Sequence, residues 1–359
     1  MDLDKEKSAQ RKTYNYFRSE EEYWRLKSCS LWLKAGDRNT TYFHRQYRAR
    51  LSRNHIAEIT TSSGQVCKGF DQIKEAAEKH FQNLLSAERD GSKEDITDFL
   101  TNIPKLVSLD DNDTLLNPVT EEEISKIVWS MEPDKAPGPD GFSIHFYRIC
   151  WELIKPNLLI MMHGFMRKAK VGGGINSTFL ALIPKEANPG SFERYRPISL
   201  CNASYKIVAK ILANRIKPLL QKLISPTQGG FVKGIHILDN VIQVQEALHS
   251  SHSRKEQGML IKLDMCNSFD RVSRSFLYRV LSSFGFFQDF INLIKACLEK
   301  IWIAPMVNGR PANFFLATRG LKLGCPLSHF LYILMAESLS RKLTLEKQDG
   351  SIPGIRIEK

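Results

Sequence analysis

Residues 261–272, read I-K-L-D-M-C-N-S-F-D-R-V, constrain the fold more than any other stretch of this chain. The alternation around Ile261 and Leu263 predicts a short buried strand that ends at Asp264. Met265, Cys266, Asn267 and Ser268 then turn the chain, and Phe269-Asp270-Arg271 opens a helix with Ser or Asp as its cap. A carboxylate at a strand end, facing a turn, is placed to hold a divalent ion where substrate phosphates can reach it. The same position also suits a helix cap or a salt bridge, so Asp264 alone does not decide the chemistry.

Its neighbours narrow the choice. Lys135-Ala136-Pro137-Gly138-Pro139-Asp140-Gly141 holds two prolines and two glycines in seven residues, which predicts a stiff, defined loop. A buried strand is expected at 179–184 with Lys185 after it, a turn at 188–191, and a second strand at 197–200 preceded by Arg194, Tyr195 and Arg196. Residues 204–224 read as one long amphipathic helix, with Lys206, Lys210, Arg215, Lys217 and Lys222 as a cationic outer face. Gln228-Gly229-Gly230-Phe231-Val232-Lys233-Gly234 forms a loop before a helix at 237–250. Helices at 273–284 and 288–299 precede paired strands at 302–308 and 314–318. Arg319-Gly320-Leu321 then leads to Gly324-Cys325-Pro326-Leu327-Ser328 and a helix to about 345.

In this order the segments resemble the polymerase region of LINE-type (non-LTR) retrotransposon reverse transcriptases of the plant type. The stretch around Asp264 is similar to their motif A and the one around Gly324 to motif B. The resemblance implies an α+β fold: right-hand polymerase fingers and a partial palm over residues 119–359, behind a basic helical extension with a small hairpin over 1–118. It implies RNA-templated DNA synthesis from nucleoside triphosphates with two magnesium ions, on an RNA template and a DNA primer. Asp264 would be the catalytic carboxylate and a metal ligand, with Met265 and Cys266 offering backbone contacts. Phe269 would exclude a 2′ hydroxyl. Lys185, Arg194 and Arg196 would bind the triphosphate, as guanidinium and ammonium groups neutralise charge building on the leaving pyrophosphate. Gly324 would let backbone approach the nucleotide closely.

The sequence departs from the family's pattern in three places. Ile235 stands where an Arg is usual, Leu323 where a Gln is usual and His329 where a Pro is usual. Relatives complete the metal site with an aromatic-Ala-Asp-Asp hairpin beyond a segment like Ile352-Pro353-Gly354-Ile355. No aromatic-Ala-Asp-Asp run occurs in the 359 residues, and Asp110-Asp111 follows Ser108-Leu109 in what reads as a loop. The expectation is a fragment unable to polymerise. Two other readings stand beside it. A non-catalytic nucleic-acid-binding remnant accounts for the missing carboxylates. An intron maturase-like reverse transcriptase shares the motifs, but the N-terminal W-L-K-x-G-D element favours the retrotransposon group.

Charge agrees with a polyanionic partner. The chain carries a formal net charge of +12 with a pI near 9.3, and such an excess attracts nucleic acid without specifying sequence. Residues 25–53 hold eight Lys or Arg against Asp37 alone, interleaved with Trp32, Tyr42, Phe43 and Tyr47. Cations of this kind bind phosphates while aromatic faces stack on unpaired bases, or the aromatics form the core of a helical hairpin with its charges in water. Helices are expected at 20–33 and from Thr40, a hairpin over 54–67 turning at Gly64, a helix at 71–85, an exposed linker at 87–92, and a helix at 120–131 capped by Thr120. Residues 142–170 read as helical, divided at Pro156. The seven cysteines are widely spaced with no zinc pattern, which fits reduced thiols. A charged N-terminus, with no long apolar run, predicts an intracellular protein of nucleus or cytoplasm, not bound to a membrane.

Overall fold

The computed structural model describes residues 2–28, 40–86, 97, 99–101, 103–230, 237–254 and 259–352. The chain divides into two units, a smaller one of residues 1–77, 182–196 and 306–310, and a larger one of 78–181, 197–305 and 311–359. The expected elements at 29–39, 87–92 and 231–236, including Ile235, lie outside the described residues, as do those from 353 onward.

In the smaller unit, helix α1 (Asp2–Ser28) packs along α2 (Thr40–Asn54). The Trp24 ring lies 3.7 Å from that of His44 and 5.8 Å from that of Tyr47, and Lys27 Nζ sits 4.3 Å above the Tyr23 ring. Phe43 is buried, while Arg45, Arg48, Arg50 and Arg53 are exposed. One apolar face and one basic face therefore share a helix. Strands β1 (Glu58–Thr60) and β2 (Val66–Lys68) form the expected hairpin, Ile59 opposite Cys67, both inward. Asn308 pins its start, accepting from the Ile56 N–H at 2.8 Å and donating to Ile56 O at 3.0 Å. Helix α3 (Phe70–Leu84) follows, with Ile73 and Ala77 buried.

The larger unit is built round one helix. Helix α4 (Leu109–Leu116) and α5 (Glu121–Ser130) precede α6 (Ile144–Ile149), α7 (Trp151–Lys168) and α8 (Ala203–Ile216). Ten of the fourteen α8 residues are buried, so it is a central core helix and not the two-faced one expected. Small residues (Ala203, Ser204, Ala209, Ala213) let neighbours approach the sides the pattern left open. It also stops early. Pro218 has no N–H to continue the ladder and its ring crowds the preceding turn, so the chain tightens into a 3-10 turn at Lys217–Leu219. Pro156, in contrast, sits inside α7. The break falls instead at Cys150, whose N–H closes α6 on Phe146 O at 3.0 Å. Pro156, near the start of α7, costs it one hydrogen bond without ending it.

Helices α9 (Ile237–Ser253), α10 (Arg274–Phe284), α11 (Gln288–Leu298) and α12 (Ser328–Gln348) complete the helical set used below. Strands β3 (Thr178–Pro184), β4 (Tyr195–Cys201), β5 (Ile301–Val307), β6 (Arg310–Pro311) and β7 (Phe315–Ala317) make a sheet of order β4-β3-β5-β6, with β7 antiparallel to β5. The mixed helical and sheet architecture is the α+β class expected for polymerase fingers and palm. No helix among the described residues is long and apolar enough to cross a membrane.

Candidate nucleotide and template site

Asp264 lies in a segment without regular structure, and its carboxylate is exposed with no hydrogen-bond or ion-pair partner among the described residues. The buried strand expected before it is absent. Ile261 is 64% exposed and Leu263 72%. Alternation can mark a strand, but only a neighbouring strand satisfies its N–H and C=O groups, and none of the described strands pairs with 259–265. The turn after it runs further than expected. The Asp270 and Arg271 N–H groups both donate to Asn267 O, at 3.0 and 3.1 Å, and the helix opens only at Arg274. Ser273 caps it, its hydroxyl accepting from the Phe276 N–H at 3.2 Å.

This turn is zipped to the segment ahead of Gly324. The Leu321 N–H donates to Phe269 O at 2.8 Å and the Gly320 N–H to Val272 O at 2.9 Å. Gly320 has φ +82°, and a Cβ there would lie 2.6 Å from Asp270 O. The buried Arg274 fastens that segment as well. Its guanidinium donates to Gly320 O at 3.1 Å, Ala317 O at 2.9 Å and Arg319 O at 2.9 Å. Beyond it, the Ser199 N–H of β4 donates to Leu323 O at 2.7 Å. Gly324, with φ +101°, brings its Cα side to Ser199, where a Cβ would stand 3.2 Å from the carbonyl oxygen. The Phe269 ring stacks on Tyr332 of α12, centroids 4.7 Å apart and planes 19° from parallel. The Tyr332 hydroxyl reaches Met265 Sδ at 3.8 Å. Phe269 and Gly324 are thus carried by one hydrogen-bonded assembly within the larger unit, which Met265 reaches through Tyr332 and which Asp264 precedes by a few residues.

A cavity of about 500 Å³ opens beside Gly324, lined by Lys135, Phe142, Ser199, Lys206 and Lys210 among others. Lys206 donates to Ala136 O at 3.4 Å, and burial lowers its pKa from the ordinary lysine value. His329 reports the same field. Burial first, then the nearby charges of Lys210 and Lys217, lower its pKa and favour the neutral ring. Asn202 fixes the stiff loop that forms one wall: its side-chain oxygen accepts from the Asp140 N–H at 3.1 Å, and its amide donates to Gly174 O at 3.0 Å and Ile175 O at 3.2 Å. Of the cationic face expected on α8, two members are used elsewhere. Arg215 pairs with Glu123 at 2.8 Å and donates to Leu115 O and Asn117 O, and Lys222 pairs with Asp111.

Lys185, Arg194 and Arg196 lie in the smaller unit. The Lys185 N–H donates to Arg194 O at 2.9 Å, and its ammonium donates to Glu193 O at 2.9 Å. Arg194 stands 3.7 Å from Glu186. Arg196 is exposed, with no side-chain partner among the described residues. Sequence reasoning missed Arg274, Asn202 and Tyr332. Nothing in their neighbourhoods marks them out, because their partners are carbonyls and rings far along the chain.

The resemblance implies a site for divalent metal ions. Among the described residues no three His, Cys, Asp or Glu side chains converge as a metal site. Asp270 is buried beneath Gly320, which leaves Asp264 as a lone exposed carboxylate. These residues do not fit a two-ion centre.

Residues 183–353 match the family described as reverse transcriptase (RNA-dependent DNA polymerase). The chain's relatives are non-LTR retrotransposon proteins. The transposon TX1 uncharacterized 149 kDa protein of Xenopus laevis is 29% identical over 310 residues, 84% of this chain and 23% of that protein. A Pol polyprotein of the type-1 retrotransposable element R2 of Popillia japonica is 26% identical, covering 66% of this chain and 32% of its own length. The RNA-directed DNA polymerase from mobile element jockey of Drosophila funebris is 23% identical, over 62% and 25%. The chain therefore spans a third or less of the length of each of these relatives.

Proposed function

We propose that this chain is the template- and nucleotide-gripping part of a non-LTR retrotransposon RNA-directed DNA polymerase. The observation that carries the reading is the backbone assembly joining the Asp264 turn, the Gly320–Gly324 approach and Ser199 of β4. The two segments similar to motifs A and B are held in fixed register beside a basic cavity. In this reading an RNA template and DNA primer lie against Lys135, Lys206 and Lys210, Gly324 admits the nucleotide and Phe269 tests its 2′ position, while Lys185, Arg194 and the exposed Arg196 of the smaller unit are cations suited to a triphosphate. Residues 1–118 then act as a basic extension that holds nucleic acid ahead of a polymerase region at 119–359.

The test is equilibrium binding of a labelled RNA–DNA template–primer to the 359-residue chain and to K135E/K210Q. Weaker binding by the variant at low salt, with unchanged melting, supports the reading; equal affinities overturn it. A second reading, in which binding is all the chain does, is favoured by the lone carboxylate of Asp264. Primer extension separates the two. Templated addition abolished by Asp264→Ala would establish a polymerase, and firm binding without addition would establish the second.

A further inference from the structure

A second cavity, of about 630 Å³, shares no lining residue with the one beside Gly324. It lies where the end of α7, the loop 169–174 and the end of α11 meet β5. Lys168, Lys170, Lys295 and Lys300 line it against one carboxylate, Glu299. Lys295 Nζ lies 5.1 Å over the Tyr278 ring, while Lys168, Lys170 and Lys300 have no protein partner among the described residues. Gly172, Gly173 and Gly174 also line it. Gly172 and Gly174 give their carbonyls to the N–H groups of Ile175 and Ser177, but the three glycine N–H groups donate to no protein acceptor among the described residues. Lysines and unbonded backbone amides around one cavity are the donors that take phosphate oxygens. At the rim stands Trp302, 48% exposed on the outward side of β5, a ring large enough to stack on a base.

The basic surface does not end there. A third cavity of about 350 Å³ shares Lys295, Glu299 and Lys300 and continues to Ser275 and Thr318. Each cavity alone falls within the range of a small-ligand pocket, ~300–1,000 Å³; two in series offer more length than a single nucleotide uses. We propose that this groove binds a single-stranded polynucleotide, its phosphates on Lys168, Lys170 and the 172–174 amides and a base on Trp302. The groove serves a strand other than the one beside Gly324, and it stands whether or not that site works as proposed.

The experiment is photo-crosslinking of a single-stranded oligouridylate carrying 5-iodouridine to the whole chain, with the modified peptide identified by mass spectrometry. The expected adduct is on Trp302. K168E/K170E should lower its yield and the affinity about tenfold at low salt, with K168Q/K170Q intermediate. Trp302→Ala should lose the adduct and Trp302→Phe retain base stacking and affinity. K135E/K210Q, which addresses the other cavity, should leave the Trp302 adduct unchanged. An adduct that never falls on Trp302, or an undiminished one in K168E/K170E of normal melting temperature, would overturn the proposal. So would competition by uridine monophosphate or orthophosphate as effective, mole for mole, as the oligomer, since that would mark a mononucleotide or anion pocket.

Discussion

Gly320 and Gly324 make unequal demands, although both adopt positive φ. A Cβ at Gly320 would meet a backbone oxygen at 2.6 Å, one at Gly324 at 3.2 Å. Backbone cannot swing aside as a side chain does, so Gly320→Ala should cost about 3 kcal/mol or more and Gly324→Ala about 1–2 kcal/mol. Urea denaturation of the two variants checks the order; equal losses would mean that the turn is looser than the zipper implies. Both glycines were legible in the sequence because their motifs are. Asp111 was legible only in part. Ser108-Leu109-Asp110-Asp111 spells a capping box, and the two ends of that box bond each other at the start of α4, which was expected to be a loop. Lys222, then Ser108, hold the Asp111 carboxyl at about 2, below its ordinary 3.8. Its contribution to stability is therefore complete above about pH 4 and lost as the pH falls through about 2. Asp111→Asn should flatten the melting temperature against pH between those values, and parallel curves for variant and parent would contradict the pairing.

Among elements, local signals succeeded where partners are near in sequence. The β1–β2 hairpin, α3, the Thr120-capped α5 and the α10–α11 pair, joined at Gly285, stand where turn residues and periodicity put them. The failures depend on distant chain. Residues 261–263 alternate as a strand does, yet nothing described pairs with them. Helix α8 carries the spacing of an amphipathic helix but is enclosed on nearly every side, which the pattern of one segment cannot report. The Arg274 clamp is of the same kind: nothing separates it in sequence from Arg271 or Arg279, yet its three carbonyl partners join α10 to the approach to Gly324. Burial lowers the guanidinium pKa from its ordinary value, but arginine stays charged. Arg274→Ala would leave the charge absent and the carbonyls unmet, at a cost of about 2–4 kcal/mol. Arg274→Lys should recover little of it, because an ammonium does not match the three-way fork. Hydrogen exchange should quicken first in 317–324; protection unchanged there would show that the clamp is redundant.

For the whole molecule, the net charge of +12 overstates what faces a ligand. Arg215 and Lys222 are held in ion pairs, and Lys185 and Arg194 have acceptors within their own hairpin. Lys135, Lys210, Arg196, the exposed arginines of α2 and Lys168, Lys170 and Lys300 are among those that remain for phosphates. Binding of template–primer should weaken steeply with salt, each neutralised phosphate adding about −0.7 to −0.9 to the slope of log affinity against log salt. K135E/K210Q should make that slope shallower by about 1–2. A flat response would reduce the basic surface to solvated charge. The site's central feature, the fixed register of the Asp264 turn and the Gly324 approach, is reached most directly by a photoactivatable deoxynucleoside triphosphate. Crosslinked in the presence of template–primer and magnesium, it should label peptides containing Phe269 or Gly324, and Gly324→Ala should reduce that labelling. Labelling confined to other peptides, or unaltered in Gly324→Ala, would contradict a nucleotide site at this assembly.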